Sequence, residues 1–295
     1  MDGGKPPPDP FAPARWLPGP NFQTVYARMA RPFPRPPAAR ERWELPDGDF
    51  LDVDRFAGPT PGAPLLLVCH GLEGSSRAPY VRGLVAQALR CGLSAAALNF
   101  RGCSGEMNRL PRFYHSGETE DLAYAVGRLA GERPGRPLCL AGFSLGGNVV
   151  AKYLAERGQA APSEVVAAAV ISVPFDLEGS ARAVAGPGFW YRTYRRRFMR
   201  RLRRKAAETA RRFPGAFDAA RAGRARPVAE FDAAKHSALP LVADARVTLS
   251  ELGEVVRGFC VDADYRARYT AFRAEWDAEV DRIYHLGHTP LISQG

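Results

Sequence analysis

Between Leu65 and Phe175 the chain alternates between short apolar runs and longer segments of helical periodicity. "APLLLVCHG" is a continuous apolar run closed by glycine, the pattern of a strand buried on both faces. "PYVRGLVAQALRCG" follows with helical spacing and a glycine stop. "LSAAALNFRG" reads as strand, and "TEDLAYAVGRLAGER" as a helix with Thr119 as cap and acids in its first turn. "RPLCLAG" is strand, "GGNVVAKYLAERG" helix and "EVVAAAVISVPFD" strand. Such alternation predicts the α/β class: a mostly parallel sheet, helices on both faces, right-handed crossovers. The 295 residues, 46% hydrophobic and 24% charged, suffice for one large domain or a domain with an inserted cap. Chemistry in these sheets collects at the carboxyl ends of strands. Three ends stand out: His70-Gly71-Leu72, Asn99-Phe100-Arg101-Gly102, and Ser144.

Residues 1–40 are rich in proline and arginine and read as an arm with little regular structure, leaving 41–295 as the folded domain. "RERWELPDGDFLDVDRF" carries two alternating runs around Pro46-Asp47-Gly48-Asp49, a hairpin signal. The five cysteines are odd in number, and Cys69 and Cys139 fall within apolar runs. They read as reduced thiols in a reducing compartment rather than a disulfide framework. No pair has metal-ligand spacing, and neither metal nor cofactor is expected. No signal peptide is visible, and no apolar run reaches the roughly 20 residues of a spanning helix. The expected location is therefore cytoplasmic, with any membrane contact peripheral.

In "LCLAGFSLGGNVVAKYL" a strand runs straight into a helix, with Ser144 at the junction. Such a turn lifts its central side chain out of the sheet in a strained conformation. Side chains at Gly142, Gly146 and Gly147 would collide with the adjoining strand and helix. The helix start aims N–H groups and its positive dipole end at the site. Ser144 is thus the candidate nucleophile, and the Leu145 amide the expected oxyanion donor. A second donor should come from "HGLEGSS" after the first parallel strand, with Leu72 the expected amide.

With these motifs go "FQTVYARM", "HGLEGSSRAPYVRGL", "NFRGCSGEMNRLPRFYHSGETEDL" and "GFSLGGNVVAKYL", and more weakly "EFDAA" and "GFCVDADYRARY". Together they resemble the YheT-like branch of the α/β-hydrolases, also called α/β-hydrolase family 4. The resemblance runs from about Trp16 to Ser237, with a patch around Gly258 to Tyr269. It implies a serine hydrolase fold with a helical cap at about 177–269, acting on short-chain carboxylic esters or acylglycerols. It marks Ser144 as nucleophile and the His70-to-Leu72 loop as part of the oxyanion hole. It gives His115 a place in a signature loop, where hydrogen bonds would anchor it, rather than the role of base.

The remaining histidines are weighed by position. His70 is too close to the oxyanion loop to act comfortably as base, and His236 falls at the end of the cap. In α/β-hydrolases the triad runs Ser, then Asp or Glu, then His. The apolar strand ending in an acid and the strand ending in Gly-His that the resemblance implies are not seen after Ser237. Asp262 and Asp264 fall in the cap-like patch, which leaves the acid unassigned. His288, in "LGHTP", is the histidine that matches the usual order. Two explanations stand: a truncated or altered C-terminus lacking those strands, or a divergent tail that delivers His288 by another route. The first is preferred, so Ser144 is expected to lack a proper base in this chain.

"FWYRTYRRRFMRRLRRKAAETARR" carries eleven basic residues between Tyr191 and Arg212 against one acid, Glu208. Tyr194, Phe198, Leu202 and Ala206 recur every fourth position as an apolar stripe. One reading is a solvated cap helix packing that stripe on the body; another is an interfacial helix drawn to anionic lipid headgroups. Charge alone is not a nucleic-acid site, and none is expected. The expected function is a serine hydrolase cleaving carboxylic esters through an acyl-enzyme. The alternative is a catalytically impaired protein of the same fold that binds an acyl ligand or a membrane surface.

Overall fold

The computed structural model describes residues 33–174 and 188–216, with isolated positions at 16, 21–23, 26, 177, 180, 186 and 224. Most of the proposed arm, most of the proposed cap, and His236, Asp262, Asp264 and His288 lie outside the described residues. Two units are distinguished, Phe33–Cys260, and Met1–Pro32 with Val261–Gly295. In the latter the rings of Trp16 and Tyr26 meet edge to face at 4.8 Å.

The first unit opens with the expected hairpin. Strands β1 (Ala39–Glu44) and β2 (Phe50–Phe56) pair antiparallel, with Trp43 opposite Leu51. Gly48 takes φ +83° in the turn, where a side chain would be strained, and Asp49 O accepts from Leu45 N at 2.8 Å. Then β3 (Leu65–Cys69), α1 (Pro79–Arg90), β4 (Ser94–Asn99), α2 (Glu120–Glu132), β5 (Leu138–Phe143), α3 (Leu145–Arg157) and β6 (Val165–Ile171) alternate as the sequence predicts. A long helix, α4 (Phe189–Arg212), follows. The sheet order is β1-β2-β4-β3-β5-β6; β2 runs against both its neighbours, and β4, β3, β5 and β6 are mutually parallel.

Alternation within the central strands sorts the core into two layers. Leu65, Leu67 and Cys69 pack with Leu122, Val126, Val149 and Tyr153, from α2 and α3. Leu66 and Val68 face the other way, onto Val81, Val85 and Ala88 of α1. Successive strand side chains point to opposite faces, so a continuous apolar run must be covered twice. Every residue of β3 and β4 is buried. Burial pushes the Cys69 thiol up to about 12, which makes it an inert core group. Cys69, Cys91, Cys103 and Cys139 are all unpaired.

Two local expectations are revised. Thr119 makes no side-chain cap for α2; its hydroxyl donates to Glu156 at 2.5 Å, and Glu118 Oε1 instead accepts from Glu120 N at 3.1 Å. The stripe of α4 is also different. Among the described side chains its buried positions are Met199, Leu202, Ala206 and Thr209, while Phe198 is half-buried. A strict four-residue step drifts about 40° per repeat around a helix of 3.6 residues per turn, whereas steps of three and four hold one face.

Candidate active site

β5 ends at Phe143, α3 begins at Leu145, and Ser144 alone makes the turn, with φ 51° and ψ −119°. An L-residue adopts this conformation only when its surroundings enforce it. The enforcement is local. Ser144 N donates to Ile171 O at the end of β6 at 2.8 Å, and Ser144 O accepts from Gly147 N and Asn148 N at 2.9 and 3.1 Å. A Cβ at Gly142 would lie 2.4 Å from Gly146 O. One at Gly146 would lie 2.5 Å from His70 O, and one at Gly147 2.5 Å from a Val173 methyl. Gly142 and Gly146 are therefore required by close backbone approach, and a side chain at Gly147 would displace Val173.

The loop after β3 meets this turn. A Cβ on Gly71 would lie 3.2 Å from Ser144 Cβ, so the loop backbone runs directly past the serine. Gly71 N is occupied, donating to Tyr80 Oη at 3.0 Å. The amides of Leu72 and Leu145 have no acceptor among the described residues. Both residues are half-buried against the same core layer. An oxyanion beside Ser144 would meet two uncommitted donors, one of them on the first turn of a helix.

Both described histidines are engaged in contacts away from the serine hydroxyl. His70 is buried, its Nε2 accepts from Phe100 N at 3.2 Å, and its Nδ1 lies 2.7 Å from Gly71 O. The first contact leaves Nε2 unprotonated, so Nδ1 carries the hydrogen and donates to the loop carbonyl. Burial lowers its pKa to about 4, against the pull of the Gly71 hydrogen bond. With both nitrogens committed, His70 fastens the loop. His115 Nδ1 accepts from Gly117 N at 3.2 Å, and Nε2 lies 3.8 Å from Glu118, an anchoring role within its own loop. His288, His236, Asp262 and Asp264 are outside the described residues.

The third strand end is structural. Arg101 is buried and holds Asp121 at the start of α2 through two nitrogens, at 2.7 and 2.9 Å, and Asp49 of the hairpin at 2.9 Å. Asn99 accepts from Ser76 N and donates to Asp52 O.

The sequence reading overlooked Glu73, Tyr114 and Lys205. Glu73 follows Leu72 with φ 54° and is buried. Its N–H donates to Tyr114 Oη at 2.7 Å, and its carboxylate accepts from Lys205 Nζ at 2.8 Å and from Tyr114 Oη at 3.1 Å. Arg201 donates to its carbonyl at 2.8 Å. Lys205 Nζ also lies 3.1 Å from Cys103 Sγ. Burial works to lower the Lys205 pKa, but Cys103 and Glu73 outweigh it and hold it above the ordinary lysine value. The one available signal was a basic residue on the inward side of an arginine-rich helix; no local spacing links it to Glu73, 132 positions away. Among the described residues there is no metal-binding group of histidine, cysteine and acidic side chains, and no helix long and apolar enough to cross a membrane.

Comparison with known proteins bears on the fold family. Residues 64–241 match the family described as alpha/beta hydrolase fold. "Putative esterase YheT" of Escherichia coli is 39% identical over 226 residues, 75% of this chain and 65% of that protein. "Monoacylglycerol lipase" of Saccharomyces cerevisiae is 34% identical over 143 residues, 48% of this chain and 30% of the lipase. The matches thus span under two thirds of either relative's length. A solved a/b serine hydrolase without lid from Xanthomonas campestris is 26% identical, covering 50% of this chain and 66% of its own, with a TM-score of 0.39. With its doubly covered, mostly parallel sheet and the family match over 64–241, the chain belongs to the α/β-hydrolase fold family.

Proposed function

We propose that this protein is a serine hydrolase of carboxylic esters, with short-chain esters or acylglycerols as substrates. In this reading Ser144 Oγ attacks the ester carbonyl, and the Leu72 and Leu145 amides receive the charge that develops on its oxygen. The alcohol leaves with a proton, and water then releases the acid from the acyl-enzyme. The observation that carries the reading is the left-handed Ser144 backbone between β5 and α3, with uncommitted amides on either side of it. The esterase and lipase names of the relatives support the substrate class. The proton on Ser144 falls to neither His70 nor His115, and on chain order His288 is the candidate base.

The test is hydrolysis of p-nitrophenyl butyrate by the wild-type protein and by Ser144→Ala. A base-assisted serine loses a factor of about 10⁴ or more on removal of the hydroxyl, down to the contribution of oxyanion donors and binding alone. Wild-type turnover in a folded Ser144→Ala protein would refute Ser144 as nucleophile, and a wild-type rate no higher than the uncatalysed one would leave the alternative, an impaired hydrolase fold that binds an acyl ligand or a membrane surface. His288→Ala divides the mechanism further. A loss matching that of Ser144→Ala assigns it as base, and an unchanged slow rate means that the serine acts without it.

A further inference from the structure

Helix α4 has two unlike faces. Met199, Leu202, Ala206 and Thr209 are buried, and Arg201 and Lys205 reach Glu73 beside them. On a flank that starts beside Met199 and runs round to the solvent side, Arg192, Arg196, Arg200, Arg204 and Arg211 are all exposed. At about 100° per residue they fall within one third of the helix circumference, along roughly 28 Å of axis from first to last. None of the five has an ion-pair partner among the described residues. Phe189, at the helix start, is 73% exposed and projects on this same side, between Arg196 and Arg200.

Glu208 is the one acid of this helix, and it has no ion pair with these arginines among the described residues; five guanidiniums and an exposed ring thus share one sector of about 120°. We infer that the outward face of α4 docks on an anionic lipid bilayer. A planar sheet of phosphate headgroups meets all five guanidiniums at once, and its acyl boundary receives the Phe189 ring. A nucleic acid would supply phosphates but would need an unstacked base to use Phe189. The inner face of the same helix rests on the loop carrying Leu72. Docking therefore brings the serine's end of the sheet towards the lipid, a consequence that rests on the proposed hydrolase reading.

The experiment is co-sedimentation of the full chain with vesicles of phosphatidylcholine alone and of phosphatidylcholine with about one third phosphatidylglycerol. Binding is expected to the anionic vesicles only, and to fall steeply between 50 and 500 mM salt as screening shortens to a few ångströms. Each arginine changed to glutamine should lower partitioning about fivefold. Replacing all five with lysine should retain binding, because charge is kept. Equal binding to neutral vesicles, full binding by the five-glutamine variant, or loss of binding by the folded lysine variant would overturn the inference. So would tighter binding of a single-stranded RNA than of the anionic vesicles, which would reassign the face to nucleic acid. Ser144→Ala should bind vesicles like the wild type, so this inference and the hydrolase reading fail separately.

Discussion

The two segments that meet at Ser144 each hold a non-glycine residue in the left-handed region, Ser144 at φ 51° and Glu73 at φ 54°. They hold it by different means. The turn between β5 and α3 is fixed from within, by Gly142 and Gly146, which let backbones touch, by Gly147, which leaves room for Val173, and by hydrogen bonds to β6 and to its own helix. The loop after β3 is fixed from without. His70 fastens Gly71 O, Tyr80 takes Gly71 N, Tyr114 takes Glu73 N, and Arg201 and Lys205 arrive from α4. Strain at Ser144 is thus held in packing that cannot relax, while the Leu72 loop depends on side chains contributed by distant elements. The first arrangement should fail by steric clash, the second by leaving buried polar groups without partners.

The largest effect is expected from Gly146→Ala. Its Cβ meets two backbone carbonyls, at 2.5 and 2.6 Å, and neither can swing aside. A cost of about 3 kcal/mol or more is expected in urea unfolding. Gly127→Ala, in α2 with open space around it, should instead stabilise by about 1 kcal/mol. If both behaved alike, close approach would not be what fixes the turn.

Lys205→Met comes next, because it leaves the Glu73 carboxylate, 3% exposed, without its cation. Breaking a buried pair from one side costs about 3 kcal/mol. Lys152→Met, which breaks an exposed pair with Glu156, should cost about 0.5 kcal/mol or less. Equal losses in the same unfolding assay would mean that α4 does not hold the loop.

The smallest effect is a pH dependence from His70. Its folded pKa, about 4, lies below the ordinary 6.5, so the unfolded chain binds the proton first. Stability from this residue is present above pH 6.5 and declines as pH falls towards 4, by about 2 kcal/mol between pH 7.5 and 5. His70→Gln should lower overall stability and remove most of that decline. An undiminished slope in the variant would place the titration elsewhere.

The same contrast explains what the sequence made legible. The Ser144 turn is written in consecutive residues, Gly142 to Gly147, and the strand–helix alternation around it needs only local periodicity. The Leu72 loop was locatable because it follows a recognisable strand. Its supports were not, since Glu73 pairs with Tyr114 and Lys205, which are 41 and 132 positions away. The role of Arg101 was hidden for the same reason, its partners Asp49 and Asp121 flanking it at a distance on either side. On α4, charge was legible and facing was not. A fourfold repeat drew attention to Phe198, which is half-buried, while among the described side chains packing buries Met199 and Thr209 with Leu202 and Ala206.

The central claim is that Ser144 is a nucleophile poised beside an oxyanion site. Treatment of the full chain with a fluorophosphonate probe, followed by proteolysis and mass spectrometry, tests it directly, because the phosphonyl oxygen must occupy the position of the ester oxyanion. The account predicts a single adduct on the peptide carrying Ser144, absent from Ser144→Ala and slowed in Lys205→Met. A folded protein that leaves Ser144 unmodified under conditions that label a known serine esterase, or one labelled equally well after Ser144→Ala, would contradict it.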